Sequence, residues 1–375
     1  MKTGLVLSGG GARGAYQVGV LKAIADLRPK HAHNPFSVIS GTSSGAINAV
    51  ALAASANNFR LAVMKVERIW KNLHVDMVYR SRHRDIAVSM GRLVGSLFNE
   101  GIGRRRPVAL LNNDPLRDLL SHVIHFKNIQ RRIDSGFLEA VAVTATGYTS
   151  GESVSFFQGR GDLKKWRRMR RVGVPTELSV GHLLASSAIP TILPAEKISL
   201  EYFGDGAMRQ LAPISPVLHL GADRLLVIGV SGNPTHPLKR HVENHSPSLA
   251  QIVGHIFKSA FIDSLETDLD HLMRINDLVG MVQLENPHAD TSPLRTVDLL
   301  QINPSIEFDE IAAKHIGDLP HAMRKMMRVT GATGRAGGSS MASYLLFEAE
   351  FCQELIACGY RDAMEQEEDI RAFFT

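Results

Sequence analysis

Short apolar runs alternate with longer amphipathic stretches along this chain. Thr3-Gly4-Leu5-Val6-Leu7-Ser8 reads as a first strand. An unbroken apolar run that ends in a turn suits a strand buried on both faces. Ala15 to Leu27 places Val18, Leu21, Ile24 and Leu27 at helical spacing. Phe36 to Ser40 predicts a second strand, and Ala46 to Ala53 a helix of good helix formers. Phe59 to Leu73 predicts the next helix. Asp85 to Phe98 spaces Ile86, Met90, Leu93 and Leu97 as a core helix would, its rival being a lid or membrane-facing helix. Asp114 reads as an N-cap with Pro115 at the first helical position. Phe137–Thr146 and Ser153–Phe157 predict neighbouring strands, Thr176–Ser187 a helix, and Ile198–Phe203 one strand ending at Gly204-Asp205-Gly206. Later come a buried parallel strand over 224–230, a loop over 231–247, one long helix from Ser248 to Asn276, and a strand over 297–302.

Strands alternating with helices predict an α/β fold: three layers, a mainly parallel central sheet and a helical C-terminal tail. At 375 residues and 44% hydrophobic content the chain supports a large core. Residues 1–215 read as the core unit and 216–330 as its completion. Residues 331–375 read as a glycine-rich linker followed by amphipathic helices that dock on the domain, a membrane or a second copy. Oligomeric state is left open. The two cysteines, Cys352 and Cys358, fall on different helix faces and do not bridge, which fits a reducing, cytoplasmic setting. No apolar run is long enough to span a bilayer. The net charge of +5 gathers in runs at 79–84, 104–106 and 164–171. These fit a solvated surface or peripheral contact with the anionic inner face of a membrane. No helix-turn-helix, RNA-binding aromatic signature or zinc spacing accompanies them, so nucleic acid is not expected.

The chemistry sits at two glycine turns. Gly41-Thr42-Ser43-Ser44-Gly45 is a G-x-S-x-G string between a strand and a helix, the setting of a nucleophile elbow with Ser43 at its corner. Gly41 and Gly45 are required there because side chains would strike neighbouring backbone. Gly9-Gly10-Gly11-Ala12-Arg13-Gly14 forms the other turn. It also satisfies G-x-G-x-x-G, yet no carboxylate ends the second strand, as dinucleotide binding would want, and no Lys-Ser/Thr follows for a phosphate loop. An oxyanion hole beside the elbow is favoured. Asp205 in its Gly-Asp-Gly turn reads as a tight turn or as the general base for Ser43. His182, His219 and His236 are weaker rivals for that base.

Together with Ala185-Ser186-Ser187-Ala188-Ile189-Pro190, these blocks resemble the patatin-like phospholipase family, in the family's order. Asp205-Gly206-Ala207 departs slightly from the family's common Asp-Gly-Gly. The resemblance implies a Ser43–Asp205 dyad, an oxyanion hole from the 9–14 loop (Gly9, Gly10, Gly11, Ala12, Arg13, Gly14), and a lipid acyl ester of phospholipase A or lysophospholipase type as substrate. It implies an acyl-enzyme and no metal or organic cofactor. A thioester or neutral glyceride suits the same dyad. A non-catalytic lipid- or nucleotide-binding module is the reading from another class.

Overall fold

The computed structural model describes residues 1–98, 107–231, 246, 249–259, 264–285, 295–330 and 339–375. The expected basic run at 104–106, most of the loop over 231–247 with His236, and most of the linker at 331–338 lie outside the described residues.

Among the described residues ten strands form one sheet: β1 Thr3–Leu7, β2 Val38–Thr42, β3 Ala140–Gly147, β4 Ser153–Gly159, β5 Trp166–Arg168, β6 Arg171–Pro175, β7 Glu196–Ile198, β8 Glu201–Asp205, β9 Arg224–Ile228 and β10 Asp298–Ile302. Their order is β10-β9-β1-β2-β3-β4-β6-β5, with β8 also on β3 and β7 on β8. The pairings from β10 through β3 are all parallel, while β4 and β8 run antiparallel to β3. Strand periodicity then sorts side chains between two cores. Leu5, Leu7, Ile39, Val141, Leu226 and Ile228 face one core. Val6, Val38, Ala142, Leu225 and Val227 face the other. The first core is covered by α1 Gly14–Leu27, α2 Ser44–Ala54, α3 Phe59–Lys71 and the C-terminal helix Ala349–Glu365. The second is covered by helices Ser215–His219 and Ser264–Glu285. These are the three layers expected of an α/β/α protein.

Several expectations shift. Phe36–Ser40 moves two residues on, to β2. The single strand over 198–203 is a hairpin, because Ser199 takes a positive φ of 54° and Leu200 projects into solvent, so the alternation spans a turn. Of the apolar positions expected on helix His83–Phe98, Ile86 packs on the core while Met90 is 41% accessible, and the burial of Leu93 and Leu97 lies outside the described residues; Val88 is 63% accessible and Arg84 and Arg92 are exposed. The cap of helix Asp114–Val123 is Asn113, one residue earlier than expected, and its side chain makes no cap bond. The basic run at 164–171 forms the edge hairpin β5–β6, where Arg167 pairs with Glu152. The expected helix Ser248–Asn276 is described as Leu249–Lys258 and Ser264–Glu285. Leu265, Leu269 and Leu272 are buried against the sheet, but Ile252 and Ile256 are exposed. Ser339 and Ser340 begin a buried helix, Ser339–Leu345.

Candidate active site

Parallel strands β1 and β2 deliver both glycine turns to one end of the sheet, with Leu7 opposite Gly41. Ser43 follows β2 with φ 55° and ψ −126°, a conformation costly for any residue with a Cβ. It is held there from both sides. The Ser43 amide donates to Ser186 Oγ at 2.8 Å, and Ser186 Oγ donates to Thr144 O at 2.6 Å. The Ser43 carbonyl accepts from the amide of Ala46 at 3.0 Å, which starts α2. A Cβ on Gly41 would collide with Gly45 O, and one on Gly45 with Leu7 O. The elbow is therefore packed directly on the end of β1, and Ser43 itself is 2% exposed.

The 9–14 turn is one turn of 3-10 helix, Gly11–Arg13, running into α1. The Arg13 amide donates to Gly10 O, and the Gly14 amide is likewise used within the turn. As leading amides of a helix, those of Gly11 and Ala12 have no intrahelical acceptor, which is the property an oxyanion site needs. A buried polar ladder fixes this turn against the elbow. Trp70 Nε1 donates to Asn48 Oδ1 at 2.8 Å. Asn48 Nδ2 donates to Gln17 Oε1 at 3.0 Å and to Gly14 O at 3.1 Å. Gln17 Nε2 donates to Ser8 O at 2.8 Å.

Arg13 points away from Ser43. Its guanidinium is buried, donating to Ser343 Oγ at 2.6 and 2.9 Å and to Asp309 Oδ1 at 2.7 Å, with the Tyr344 ring 4.1 Å from its centre. Gly11, at φ 56°, lies directly on Tyr344 O, where a Cβ would collide. The helix Ser339–Leu345 thus forms the floor under the turn.

Asp205 ends β8. Asp205 on β8 pairs with Ala145 on β3, next to Thr144, which pairs with Thr42 on β2, and this brings Asp205 to the elbow. Its amide donates to Ala188 O at 2.9 Å, and Oδ1 accepts from the Ala207 amide at 3.0 Å. Gly206 is pressed on Thr144 O, so no side chain fits there. Asp205 is 1% exposed, and Oδ2 closes no hydrogen bond. Burial pushes its pKa up to about 7, and the Ala207 amide and the nearby Ser43 hydroxyl pull it back only in part. Among the expected histidines, His182 is tied to Ser179 and stacked edge-on to Phe156, while His219 is tied to Ser215 and stacked on Trp166. Burial is the main cause lowering both.

From Ser43 a cavity of about 260 Å³ opens between α2, α3 and helix Asp114–Val123. Ile47, Ala51, Val66, Ile69, Leu116 and Leu120 supply apolar wall, and Leu345 and Phe347 close the end near the glycine turn. The Oγ atoms of Ser44 and Ser187, both on its lining, are buried without a hydrogen-bond partner.

The model of the family described as patatin-like phospholipase matches residues 5–218, from β1 to helix Ser215–His219. The chain belongs to the patatin-like phospholipase family. Its kind is thereby a lipid acyl hydrolase in general. The patatin domain holds both glycine turns, Ser43 and Asp205. The floor beneath its 9–14 loop, however, comes from Asp309 and Ser343 to Phe347, beyond the matched residues. Among solved structures, that of VipD from Legionella pneumophila is similar at 13% identity and a TM-score of 0.38, over 98% of this chain and 67% of VipD's. No curated protein matches the chain.

Sequence patterns singled out Ser43, Asp205 and the glycines, and they meet in one place. Missed were Gln17, Asn48, Trp70, Asp309 and Ser343, and Ser186 was noted only within the 185–190 block, without its role. The signal for two of them was present: Asn48 is the one polar residue in the body of α2, and Gln17 stands between the apolar Tyr16 and Val18 in the first turns of α1, and a buried polar group needs a partner.

Proposed function

We propose that this chain is a serine lipid acyl hydrolase of phospholipase A or lysophospholipase type, working through a Ser43–Asp205 dyad. The observation that carries this reading is a buried carboxylate at about pKa 7 beside a strained serine at the end of an apolar cavity. A base with a pKa near working pH combines the right charge state with useful driving force. Asp205 takes the Ser43 proton as Oγ attacks the acyl carbonyl. The amides of Gly10, Gly11 and Ala12 receive the oxyanion, each such donor contributing on the order of 10²–10³ in rate. The proton passes to the leaving alcohol, and Asp205 then draws a proton from the water that frees the fatty acid and returns it to the departing Ser43 Oγ. Gly9, Gly14, Gly41, Gly45 and Gly206 act through backbone packing, and Arg13 through its anchorage on Ser343 and Asp309. No step in this sequence needs a metal or an organic cofactor.

The test is intact mass after exposure to a fluorophosphonate. One adduct on wild type, none on Ser43→Ala and slow formation on Asp205→Asn is the expected result. An adduct that persists on Ser43→Ala removes the dyad. A panel of phospholipid, lysophospholipid, thioester and glyceride substrates then separates the subtypes. Nucleotide binding without any ester turnover would instead favour the non-catalytic module.

We also propose that the chain meets an anionic membrane through the groove formed by Arg80, Arg82, Arg84 and Arg92, against the acids Asp76 and Asp85. The short helix Val75–Val78 carries Asp76 into this groove and Val78 into the cavity wall, so the two share a partition.

A further inference from the structure

We infer that the cavity is an acyl-length ruler laid along α2, admitting a single chain of about a dozen carbons, with Ala51 as the small residue that keeps its mid-point open. The inference rests on the acyl-hydrolase reading and adds to it which acyl groups the site takes.

The cavity touches Ser43 and Ser44, then Ile47, Ala51, Ala54 and Ser55, which is one face of α2 turn after turn. α3 follows the same line in reverse. Trp70 and Leu73 lie at the Ser44 end, where Trp70 bonds Asn48, and Lys65 and Val66 lie at the other. The wall therefore runs the whole length of α2, whose 11 residues span about 16 Å at about 1.5 Å each.

The lining changes character along that line. Near Ser43 and through the middle it is Ile47, Ala51, Ile69, Leu116 and Leu120. At the far end Ser55, Lys65, His122, His125 and Asn128 join the apolar Ala54, Val66, Val123 and Ile124, and Lys65, His122 and His125 are exposed, so the rim there is mixed and partly solvated. An extended hydrocarbon with bonds of about 1.52 Å at about 111° advances roughly 1.25 Å per carbon. About a dozen carbons therefore reach from Ser43 to the polar rim. Each methylene inside the apolar wall should raise reactivity about fourfold, since burial removes it from water. A methylene beyond the rim meets solvated cations and gains nothing comparable. Ala51 stands seven residues from Ser44, about 10 Å or roughly eight carbons along. It is the small residue on that face at mid-length, and its side chain borders the cavity, so a large replacement has open space to enter.

The experiment uses the full chain and single-chain alkyl fluorophosphonates of roughly four, eight, twelve and sixteen carbons, lengths set by the spacing above. Labelling rates at Ser43 are read by intact mass. In wild type the rate should climb to about twelve carbons and then level off. Ala51→Trp should move the break to about eight carbons and cut the twelve-to-four rate ratio by at least about tenfold, with Ala51→Leu intermediate. Lys65→Leu with His125→Leu, both at exposed positions, should raise the sixteen-carbon rate over the twelve-carbon rate by about tenfold. The double variant decides the matter should the Ala51 variants fail to fold. A flat profile, a climb that continues unbroken to sixteen carbons, or a ratio untouched by Ala51→Trp overturns the ruler while leaving the hydrolase standing. Absence of labelling at every length overturns the hydrolase reading itself.

Discussion

At Asp205 the fold holds a carboxyl where its charge is poorly solvated. The consequences run in two directions, both testable. In the proposed role of base it must be ionised, so kcat/KM should rise about tenfold per pH unit below roughly pH 7 and level off above it, a limb that tracks the value near 7. For stability the sign is reversed. A carboxyl whose folded pKa lies above its unfolded value of about 4 keeps its proton in the fold after the unfolded chain has lost it. Stability therefore falls as pH rises through the window from about 4 to about 7, and the full cost is present above it. Asp205→Asn keeps an acceptor for Ala207 but carries no charge. It should melt several degrees higher than wild type at pH 8 and show little of that gain at pH 4, by thermal scans at both. A melting difference that ignores pH would count against the buried charge. Ser43 offers a second measure. Because its φ of 55° suits glycine far better, Ser43→Gly should be inactive yet about 1 kcal/mol more stable than Ser43→Ala in urea titration.

The element that decides the shape of the glycine turn is the helix Ser339–Leu345, far away in sequence. It presents Tyr344 O to Gly11 and Ser343 Oγ to Arg13, and Tyr79 Oη reinforces it by donating to Leu345 O at 2.6 Å. Glu348, which precedes helix Ala349–Glu365, accepts from the Val75 amide at 3.3 Å and lies 3.0 Å from His74 Nδ1. Helix Ala349–Glu365 then packs so closely on α1 that Gly19 meets Ile356 O and Gly359 meets Tyr16 O. Asp309→Asn should cost about 2 kcal/mol, because it leaves the buried Arg13 guanidinium without its counter-charge, and should slow fluorophosphonate labelling. Urea unfolding and labelling rates measured together test this. Unchanged labelling would show that the anchor is not needed to shape the turn.

At the scale of the whole molecule, charge is distributed unevenly over two faces. Arg82, Arg84 and Arg92 border the groove beside exposed Val88 and Met90, whereas Arg167, Arg168 and Arg170 decorate the sheet's edge hairpin. Each arginine near an anionic surface contributes about 1 kcal/mol, so replacing the first three with alanine should lower partition onto anionic vesicles on the order of 100-fold at low salt. The edge-hairpin triple should matter little. Equal losses from both triples in co-sedimentation would remove the groove as the contact. Among the described residues no helix is long and apolar enough to cross a membrane.

The sequence by itself located β1, β3 and β9, and β2 to within two residues, because their residues are mostly apolar or small, the pattern that burial on both faces of a parallel sheet leaves. It also determined the two glycine turns, since only residues without side chains fit against Leu7 O, Gly45 O and Tyr344 O. Local patterning left several things open that tertiary contacts decided. Ile198–Phe203 alternates whether or not a turn interrupts it, and Leu200 at 99% exposure marks where the alternation breaks. The apolar positions of His83–Phe98 suit a core, but among the described residues Ile86 packs on it while Val88 and Met90 are exposed. That Ser43 and Asp205 lie near each other depends on β8 pairing with β3 beside β2, a register that neither segment encodes alone. The floor from Tyr344 to Phe347 arrives from the far end of the chain. Sequence reports what each segment can bury, and only the assembled sheet and helices decide which segments bury it together.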